Sequence, residues 1–293
     1  MRVLLKKLLP VLVVCFLAVA VSAHAKTGTL LVAFGTSMES ARPAIDDIEK
    51  AYKQRNDGPV LLAFTSDIIR AKLAKEGKPV LSVNAAMNEM AAQGVTDLRI
   101  QSLHIAPAEE YSQLERMVVK NIATAPGKFT TVKVGYPLLV SKKDLDDVVK
   151  VVLASLPADR KSGDAVVLMG HGNDRGPGDL TLLATAEAFH KADSRVWLAT
   201  VEGSLSFDDV LPKLKASGAK RVWLQPFMIV AGDHANNDLA GPEEDSWASL
   251  IKAEGMQPMP NLKGLGQLKG IQAIFLNHTD EAVVDLANTK KAD

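Results

Sequence analysis

Short apolar runs rich in β-branched residues alternate along this chain with longer stretches in which apolar residues recur every three or four positions. The first pattern is typical of strands that are buried on both faces, and the second of helices that pack one face on a core. Ile45, Ile48 and Tyr52, for example, fall on one face of a helix. Strands that alternate with helices predict a parallel α/β sheet. The predicted strands are 29–34, 60–64, 98–103, 131–136, 165–169, 196–200, 221–227 and 256–260.

The predicted helices lie between these strands. Ser66 follows the second strand directly, and its hydroxyl is placed to cap the helix predicted at 67–75. The other helices are predicted around residues 45–52, at 82–94, from a start at 107–111, and at 144–156, 180–191, 207–217, 246–254 and 271–288.

The strand and helix pattern runs through two cycles of similar length, which indicates an internal duplication. The sequence IQSL at 100–103 corresponds to LQPF at 224–227, and the strand end FGT at 34–36 corresponds to MGH at 169–171. In this register Glu110 falls opposite the loop that carries a histidine at position 234.

The duplication predicts the fold class and the domain organisation. We expect an α/β protein of two similar domains, each a mainly four-stranded parallel sheet flanked by helices, with a ligand cleft between them. The predicted domains are 26–140 and 141–293, and the last helix is expected to pack back on the first domain.

The N-terminus has the three parts of a secretory signal peptide. Three basic residues precede an apolar run at 8–21, and Ala-His-Ala at 23–25 provides a cleavage site. The apolar run is too short for a membrane span, and no later segment approaches the ~20 apolar residues that a spanning helix needs. We therefore expect cleavage after Ala25, export to a bacterial periplasm, and no membrane span in the mature chain.

Composition narrows the partners and the metal ligands that are available. The single cysteine, Cys15, lies in the signal peptide, so a metal in the mature protein must be bound by His, Asp or Glu. The chain has 34 basic and 34 acidic residues, and loss of the three basic residues of the signal leaves a net charge of −3. This balance gives no basic surface for nucleic acid.

Three successive strands of the second half are each followed by an ionisable residue: His171, Glu202 and His234. Parallel strands place their carboxyl ends along one edge of a sheet, where ligands bind. Two imidazoles and one carboxylate suit divalent cobalt, nickel, iron or zinc, and they can also accept protons from a ligand. His171 stands between Gly170 and Gly172, which leave its imidazole unshielded.

Taken singly, each of these residues has an ordinary structural interpretation. Glu202 would be a solvated residue at a strand end, His234 a loop or helix-cap histidine, and His171 a hydrogen-bonded histidine in a tight turn. His104 follows a first-half strand in an apolar setting, which is typical of a core histidine bonded to the backbone. Two further histidines are expected to face solvent, His190 and His278.

Motifs for nucleotide binding and for a hydrolase nucleophile are absent from the sequence. The glycines at 170 and 172 are followed by Arg175, where a dinucleotide-binding fingerprint needs its third glycine. No Gly-Lys-Ser/Thr phosphate loop and no Gly-x-Ser-x-Gly elbow occurs.

Longer segments around the candidate residues carry a family resemblance. They are GHG at 170–172, TVEG at 200–203, LQPF at 224–227, GDHANND at 232–238, AGPEEDSW at 240–247, LVAFGTS at 31–37, TSDII at 65–69, QSLH at 101–104 and EEY at 109–111. In these segments the chain resembles the class II tetrapyrrole chelatases, specifically the anaerobic-type sirohydrochlorin cobaltochelatases.

The resemblance implies a chelatase-like fold around a cleft for a planar tetrapyrrole, and metal insertion without ATP. It implies that His171 binds the incoming metal and helps to deprotonate the pyrrole nitrogens, that His234 is the second metal-side histidine, and that Glu202 ligates metal or relays protons. The expected substrates are sirohydrochlorin and Co2+, with Fe2+ and nickel left open, and a homo-oligomer is also left open.

The export signal leaves an alternative open, because cobalt insertion serves cobalamin synthesis, which is a cytoplasmic pathway. The chain would then be a periplasmic protein that binds and transports metal, haem or another tetrapyrrole in the chelatase cleft. A separate hypothesis is that His104, at a strand end in the first half, is a metal ligand or an axial haem ligand.

Overall fold

A computed structural model describes residues 25–173 and 177–288 of the chain. Within these residues it contains two four-stranded sheets, and every strand pair in them is parallel. The strand order is β2-β1-β3-β4 in the first sheet and β6-β5-β7-β8 in the second, which confirms the predicted duplicated α/β fold. The strands are β1 (Thr27–Ala33), β2 (Val60–Phe64), β3 (Asp97–Ser102), β4 (Thr131–Gly135), β5 (Ala165–Gly170), β6 (Val196–Thr200), β7 (Arg221–Pro226) and β8 (Gln257–Pro260).

Helices connect the strands and flank both sheets. The Ser66 hydroxyl accepts a hydrogen bond from the Ile69 N–H at 3.3 Å, which confirms the predicted cap. In the described part of the chain no helix combines the length and the apolar character needed to cross a membrane. The helices are α1 (Pro43–Arg55), α2 (Asp67–Lys75), α3 (Val83–Ala92), α4 (Glu109–Thr124), α5 (Lys142–Ala154), α6 (Pro177–Ala192), α7 (Phe207–Ala216), α8 (Trp247–Ala253) and α9 (Lys269–Glu281).

The central strand β5 sets the position of the second-half site. All of its residues are buried, as expected for a strand covered by helices on both faces. Gly170 pairs with Thr200 on β6, and Met169 pairs with Pro226 on β7. The residues that follow these three strands therefore emerge at one edge of the sheet.

The signal-peptide prediction concerns residues 1–25, of which 1–24 lie outside the described residues.

The last helix is shorter than predicted, because α9 ends at Glu281 and not at Asn288. The following segment lies beside the edge strand β4. Asp285 forms an antiparallel bridge with Lys133, and its carboxylate accepts the Val132 N–H at 2.9 Å. This segment covers a strand edge that would otherwise expose unpaired backbone groups. Helical periodicity in the sequence carries no information about that edge.

His278 is buried, so the prediction that it faces solvent is wrong, whereas His190 is exposed as predicted. Helix α9 packs against β3 and β4, and this packing encloses the imidazole. Its Nε2 lies 3.1 Å from an Asp144 carboxylate oxygen, and its Nδ1 lies 3.2 Å from the Tyr136 carbonyl oxygen. Burial would raise the pKa of Asp144, but hydrogen bonds from Ser141 and His278 outweigh it and lower that pKa.

The domain boundary at residue 140 stays a prediction.

A buried carboxylate joins two strands at the other end of the second sheet. Asp164, at the start of β5, accepts hydrogen bonds from Arg221 Nε and Trp223 Nε1, each at 3.1 Å, and from the Lys161 N–H at 2.9 Å. The Arg221 guanidinium holds the pKa of this carboxyl well below its usual range. The contact fixes β7 beside β5 at the end of the sheet opposite the cleft.

We predict that Asp164→Asn lowers the free energy of unfolding by about 1.5–3 kcal/mol at pH 7, because hydrogen bonds to charged groups are lost. In the wild type, a depressed folded-state pKa gives stability that is complete above the unfolded pKa of about 3.9 and is lost as pH falls towards the folded value. The difference between the proteins should therefore shrink below about pH 4. Urea denaturation at pH 7 and pH 3 measures it.

The control is Asp146→Asn, which changes an exposed carboxylate paired with Lys142. The free energy of unfolding of this variant should stay within about 0.5 kcal/mol of the wild-type value at both pH values. If Asp164→Asn lowers the free energy of unfolding equally at pH 7 and pH 3, the predicted link between stability and the low pKa of Asp164 is wrong.

Candidate metal-binding cleft

A cleft of about 620 Å³ lies at the carboxyl ends of the two sheets and is lined by residues of both halves. This position agrees with the cleft that the duplicated sequence predicts. Much of its wall is apolar, and Phe34 and Ile68 are 52% and 83% exposed although they are large and hydrophobic. The apolar side chains of the lining include Phe34, Met38, Ile68, Met228 and Val230.

His171 is held by two turns that interlock after β5 and β6. The Glu202 N–H donates to the His171 carbonyl oxygen at 2.8 Å. Gly172 has a φ of +89°, and a Cβ at this position would overlap the Glu202 carbonyl oxygen. The turn therefore requires glycine both for its backbone conformation and for space. The His171 side chain emerges from it exposed and lines the cleft.

His234 reaches the same place from the loop after β7. It directly precedes a single π-helical turn, Ala235–Leu239, and its side chain also lines the cleft. The ring centroids of His171 and His234 are 5.1 Å apart, with an angle of 76° between the ring planes. The structure thus brings two of the three predicted site residues into contact.

The hydrogen-bond partners of the two imidazoles determine which nitrogen faces outward. The Nδ1 atom of His171 lies 3.1 Å from the Gly172 carbonyl oxygen, and that of His234 lies 2.5 Å from an Asp238 carboxylate oxygen. A carbonyl and a carboxylate only accept, so Nδ1 carries the hydrogen in each neutral ring. Both Nε2 atoms are left with lone pairs that can bind a metal ion or a proton.

Glu202 is placed differently from the two histidines. Its backbone is beside His171, but its side chain is exposed and is not part of the cleft lining. In the described ranges, no three His, Cys, Asp or Glu side chains are arranged to hold a metal ion. The metal role of Glu202 therefore stays a prediction.

Two carboxylates that the sequence analysis did not select line the cleft, Glu110 and Asp233. Glu110 lies in the first turn of α4, in the first half of the chain. The internal repeat had aligned it with His234, so its position in the duplication was the signal that could have identified it. Asp233 directly precedes His234, which places a carboxylate beside the imidazole at the cleft wall.

His104 is buried and lines the cleft from the first half. Its Nδ1 lies 2.8 Å from the Ser102 hydroxyl oxygen, while its Nε2 has no hydrogen-bond partner among the described residues. The polar partner is thus a side chain and not the expected backbone group. Burial lowers the pKa of His104 to about 4, so the ring is neutral at pH 7. A neutral imidazole with one unpartnered nitrogen can bind a metal ion.

Sequence comparison relates the chain to known cobalt chelatases. Residues 27–284 match the family model described as cobalt chelatase (CbiK). The sirohydrochlorin cobaltochelatase CbiKC of Nitratidesulfovibrio vulgaris is 38% identical over 259 residues, which cover 88% of this chain and 91% of that protein. The sirohydrochlorin cobaltochelatase of Salmonella typhimurium is 33% identical over 265 residues, which cover 88% and 97%.

Solved structures show the same fold at low sequence identity. The sirohydrochlorin chelatase SirB of Bacillus subtilis subspecies spizizenii, in complex with cobalt, has a TM-score of 0.62 at 15% identity. The match covers 87% of this chain and 94% of SirB. SirB from Bacillus subtilis with Fe3+ also gives 0.62, at 14% identity, with 87% and 95% covered.

We predict that Gly172→Ala destabilises the protein more than Gly218→Ala does, as measured by urea denaturation at pH 7. Both glycines have positive φ, but nothing lies within 4 Å of a Cβ built at Gly218. The free energy of unfolding of Gly218→Ala should fall by about 1–2 kcal/mol, which is the cost of holding alanine in a left-handed conformation. Gly172→Ala must in addition displace the Glu202 carbonyl. An equal loss of unfolding free energy in the two variants would show that the turns after β5 and β6 do not interlock.

Proposed function

The chain belongs to the cobalt chelatase (CbiK) family, and from this premise we propose that it inserts Co2+ into sirohydrochlorin in the cleft, without ATP. It is an enzyme of the sirohydrochlorin cobaltochelatase type. The observation that carries the proposal is the contact between His171 and His234, whose rings lie 5.1 Å apart at the cleft wall. Each ring has its Nδ1 bound to an acceptor, so each can offer an Nε2 lone pair to the ion.

The chemistry of insertion requires bases close to the metal. One Co2+ replaces the hydrogens of two pyrrole N–H groups, so each turnover forms the metal complex and releases two protons. Neutral imidazole binds divalent transition metals and accepts protons near neutral pH, which suits both needs. Formation of the metal–nitrogen bonds supplies the driving force, and the sequence contains no Gly-Lys-Ser/Thr phosphate loop for a nucleotide.

The apolar wall of the cleft suits the faces of a planar macrocycle. Phe34, Ile68 and Met228 are part of this wall. Burial of the ring against these side chains removes apolar surface from water and orients its centre towards the histidines. The substrate would thus be bound mainly through its faces, and the polar residues would act on the central nitrogens.

Within this proposal His171 binds the incoming metal and deprotonates the pyrroles, and His234 is the second metal-side histidine. Glu202 is assigned as a metal ligand or a proton relay from the family resemblance alone; the hydrogen bond from its N–H to the His171 carbonyl oxygen places only its backbone beside His171. Co2+ is the substrate metal, in line with the relatives' names. Fe2+ is an alternative substrate, supported only by the presence of iron, as Fe3+, in a SirB structure of the same fold.

We predict that His171→Ala slows Co2+ insertion by about 10²-fold or more, because removal of a general base typically costs 10²–10⁴ in rate. The purified protein is mixed anaerobically with sirohydrochlorin and Co2+, and the absorbance change of the macrocycle is followed. His190→Ala is the matched control, since His190 is exposed on α6 and does not line the cleft. A wild-type rate equal to the uncatalysed rate would contradict chelatase activity.

One observation favours a second candidate, a periplasmic protein that binds and transports haem, another tetrapyrrole or metal. His104 lines the cleft with a buried Nε2 that has no hydrogen-bond partner in the described residues. An imidazole in this state is suited to axial ligation of haem iron. Export is supported by the signal-peptide pattern at 1–25.

If the protein is such a carrier, the mature chain purified from the periplasmic fraction begins at Lys26 and contains about one equivalent of haem or metal, as expected for a single axial ligand. The His104→Ala variant should lose that ligand. Haem is measured by its absorbance, and metal by elemental analysis. Unchanged ligand content in the variant would contradict a role for His104, and recovery only from the cytoplasmic fraction would contradict export.

A further inference from the structure

Asp238 makes the shortest side-chain contact of the histidine pair, with its carboxylate oxygen 2.5 Å from Nδ1 of His234. We propose that Asp238 is a positioning residue that fixes the tautomer and the orientation of His234, so that its Nε2 is always presented to the metal. A carboxylate on the second nitrogen of a metal-binding histidine sets the ring orientation and strengthens the ring as a ligand.

The two histidines differ in the partner of Nδ1. His171 lies against a neutral backbone carbonyl at 3.1 Å, whereas His234 lies against a carboxylate at 2.5 Å. Hydrogen bonds to an ionised acceptor are shorter and about twice as strong as those between neutral groups. His234 is therefore the more firmly oriented ring, which suits it to hold the metal ion. His171, with its weaker partner, is less firmly oriented.

The turn that carries Asp238 is held by its own contacts. The Asn236 side-chain amide donates to the Gly232 carbonyl oxygen at 2.7 Å, and the Asn237 amide donates to the Asp233 carboxylate at 3.0 Å. The Gly241 N–H donates to the Asn237 carbonyl oxygen at 2.9 Å. The π-helical turn, a form that occurs often at functional sites, is thus fixed without the link between His234 and Asp238.

This arrangement provides a matched pair of side-chain links on one turn. His234 is linked to Asp238 and Asp233 is linked to Asn237, each four residues further along the chain. Removal of the Asn237 side chain therefore deletes the matching link on the same turn and leaves the His234 contact in place. The inference rests on the proposed function in one respect, because it takes His234 to be a ligand of the substrate metal.

The test compares Asp238→Asn with Asn237→Ala in the full-length mature protein. Long-range ¹H–¹⁵N correlation spectra of the metal-free protein report which ring nitrogen carries the hydrogen, with His234 assigned by its loss in His234→Gln. The wild type and Asn237→Ala should show hydrogen on Nδ1. Asp238→Asn should show a mixture, because an amide can also donate to Nδ1 and move the hydrogen to Nε2.

Titration with Co2+ alone, followed by calorimetry, gives the second readout. We expect Asp238→Asn to weaken Co2+ binding about 10- to 100-fold, and Asp238→Glu to recover part of the loss. Asn237→Ala should stay within about twofold of the wild type, as is usual for an exposed substitution.

The inference is overturned if Asp238→Asn keeps the wild-type tautomer, or if Asn237→Ala weakens Co2+ binding as much as Asp238→Asn does. The second result would mean that the turn as a whole, and not the carboxylate, positions the ring. Unchanged Co2+ binding in His234→Gln would instead overturn the metal role of His234 in the proposed function. The spectra would still decide whether Asp238 fixes the tautomer.

Discussion

The parallel pairing of β5 with both β6 and β7 is the constraint on which the site depends. Because Gly170 lies beside Thr200 and Met169 lies beside Pro226, three segments distant in sequence leave the sheet at the same edge. The site then needs only short connections to bring its residues together. The hydrogen bond from the Glu202 N–H to the His171 carbonyl locks two of these connections.

The duplicated fold presents two similar strand edges to one cleft, but their chemistry differs. The second half supplies His171 and His234, whereas the aligned positions of the first half are Thr36 and Glu110. The first half adds His104 and part of the apolar wall. This division suits a ligand that is bound between two surfaces and altered from one of them. It also explains why the same cleft supports both a chelatase and a carrier as functional hypotheses.

Helix α9 shows how the two halves are joined. It ends the second half of the chain but packs on β3 and β4, where the Thr279 hydroxyl donates to the Gln101 side-chain oxygen at 2.8 Å. His278 adds a second contact to the first half, because its Nδ1 lies 3.2 Å from the Tyr136 carbonyl oxygen. Polar groups buried in this way need specific partners, so they favour one alignment of the helix over others. The segment after the helix then covers the edge of β4.

The sequence by itself determined the strands, their parallel arrangement and the edge at which chemistry occurs. These features follow from local patterns, since apolar runs and helical periodicity report the burial of each segment on its neighbours. Only the tertiary structure decided where individual side chains point. It paired His171 with His234, left the Glu202 side chain outside the cleft lining, and buried His278. The reason is that these outcomes depend on turn conformations and on packing between distant segments, which no local pattern encodes.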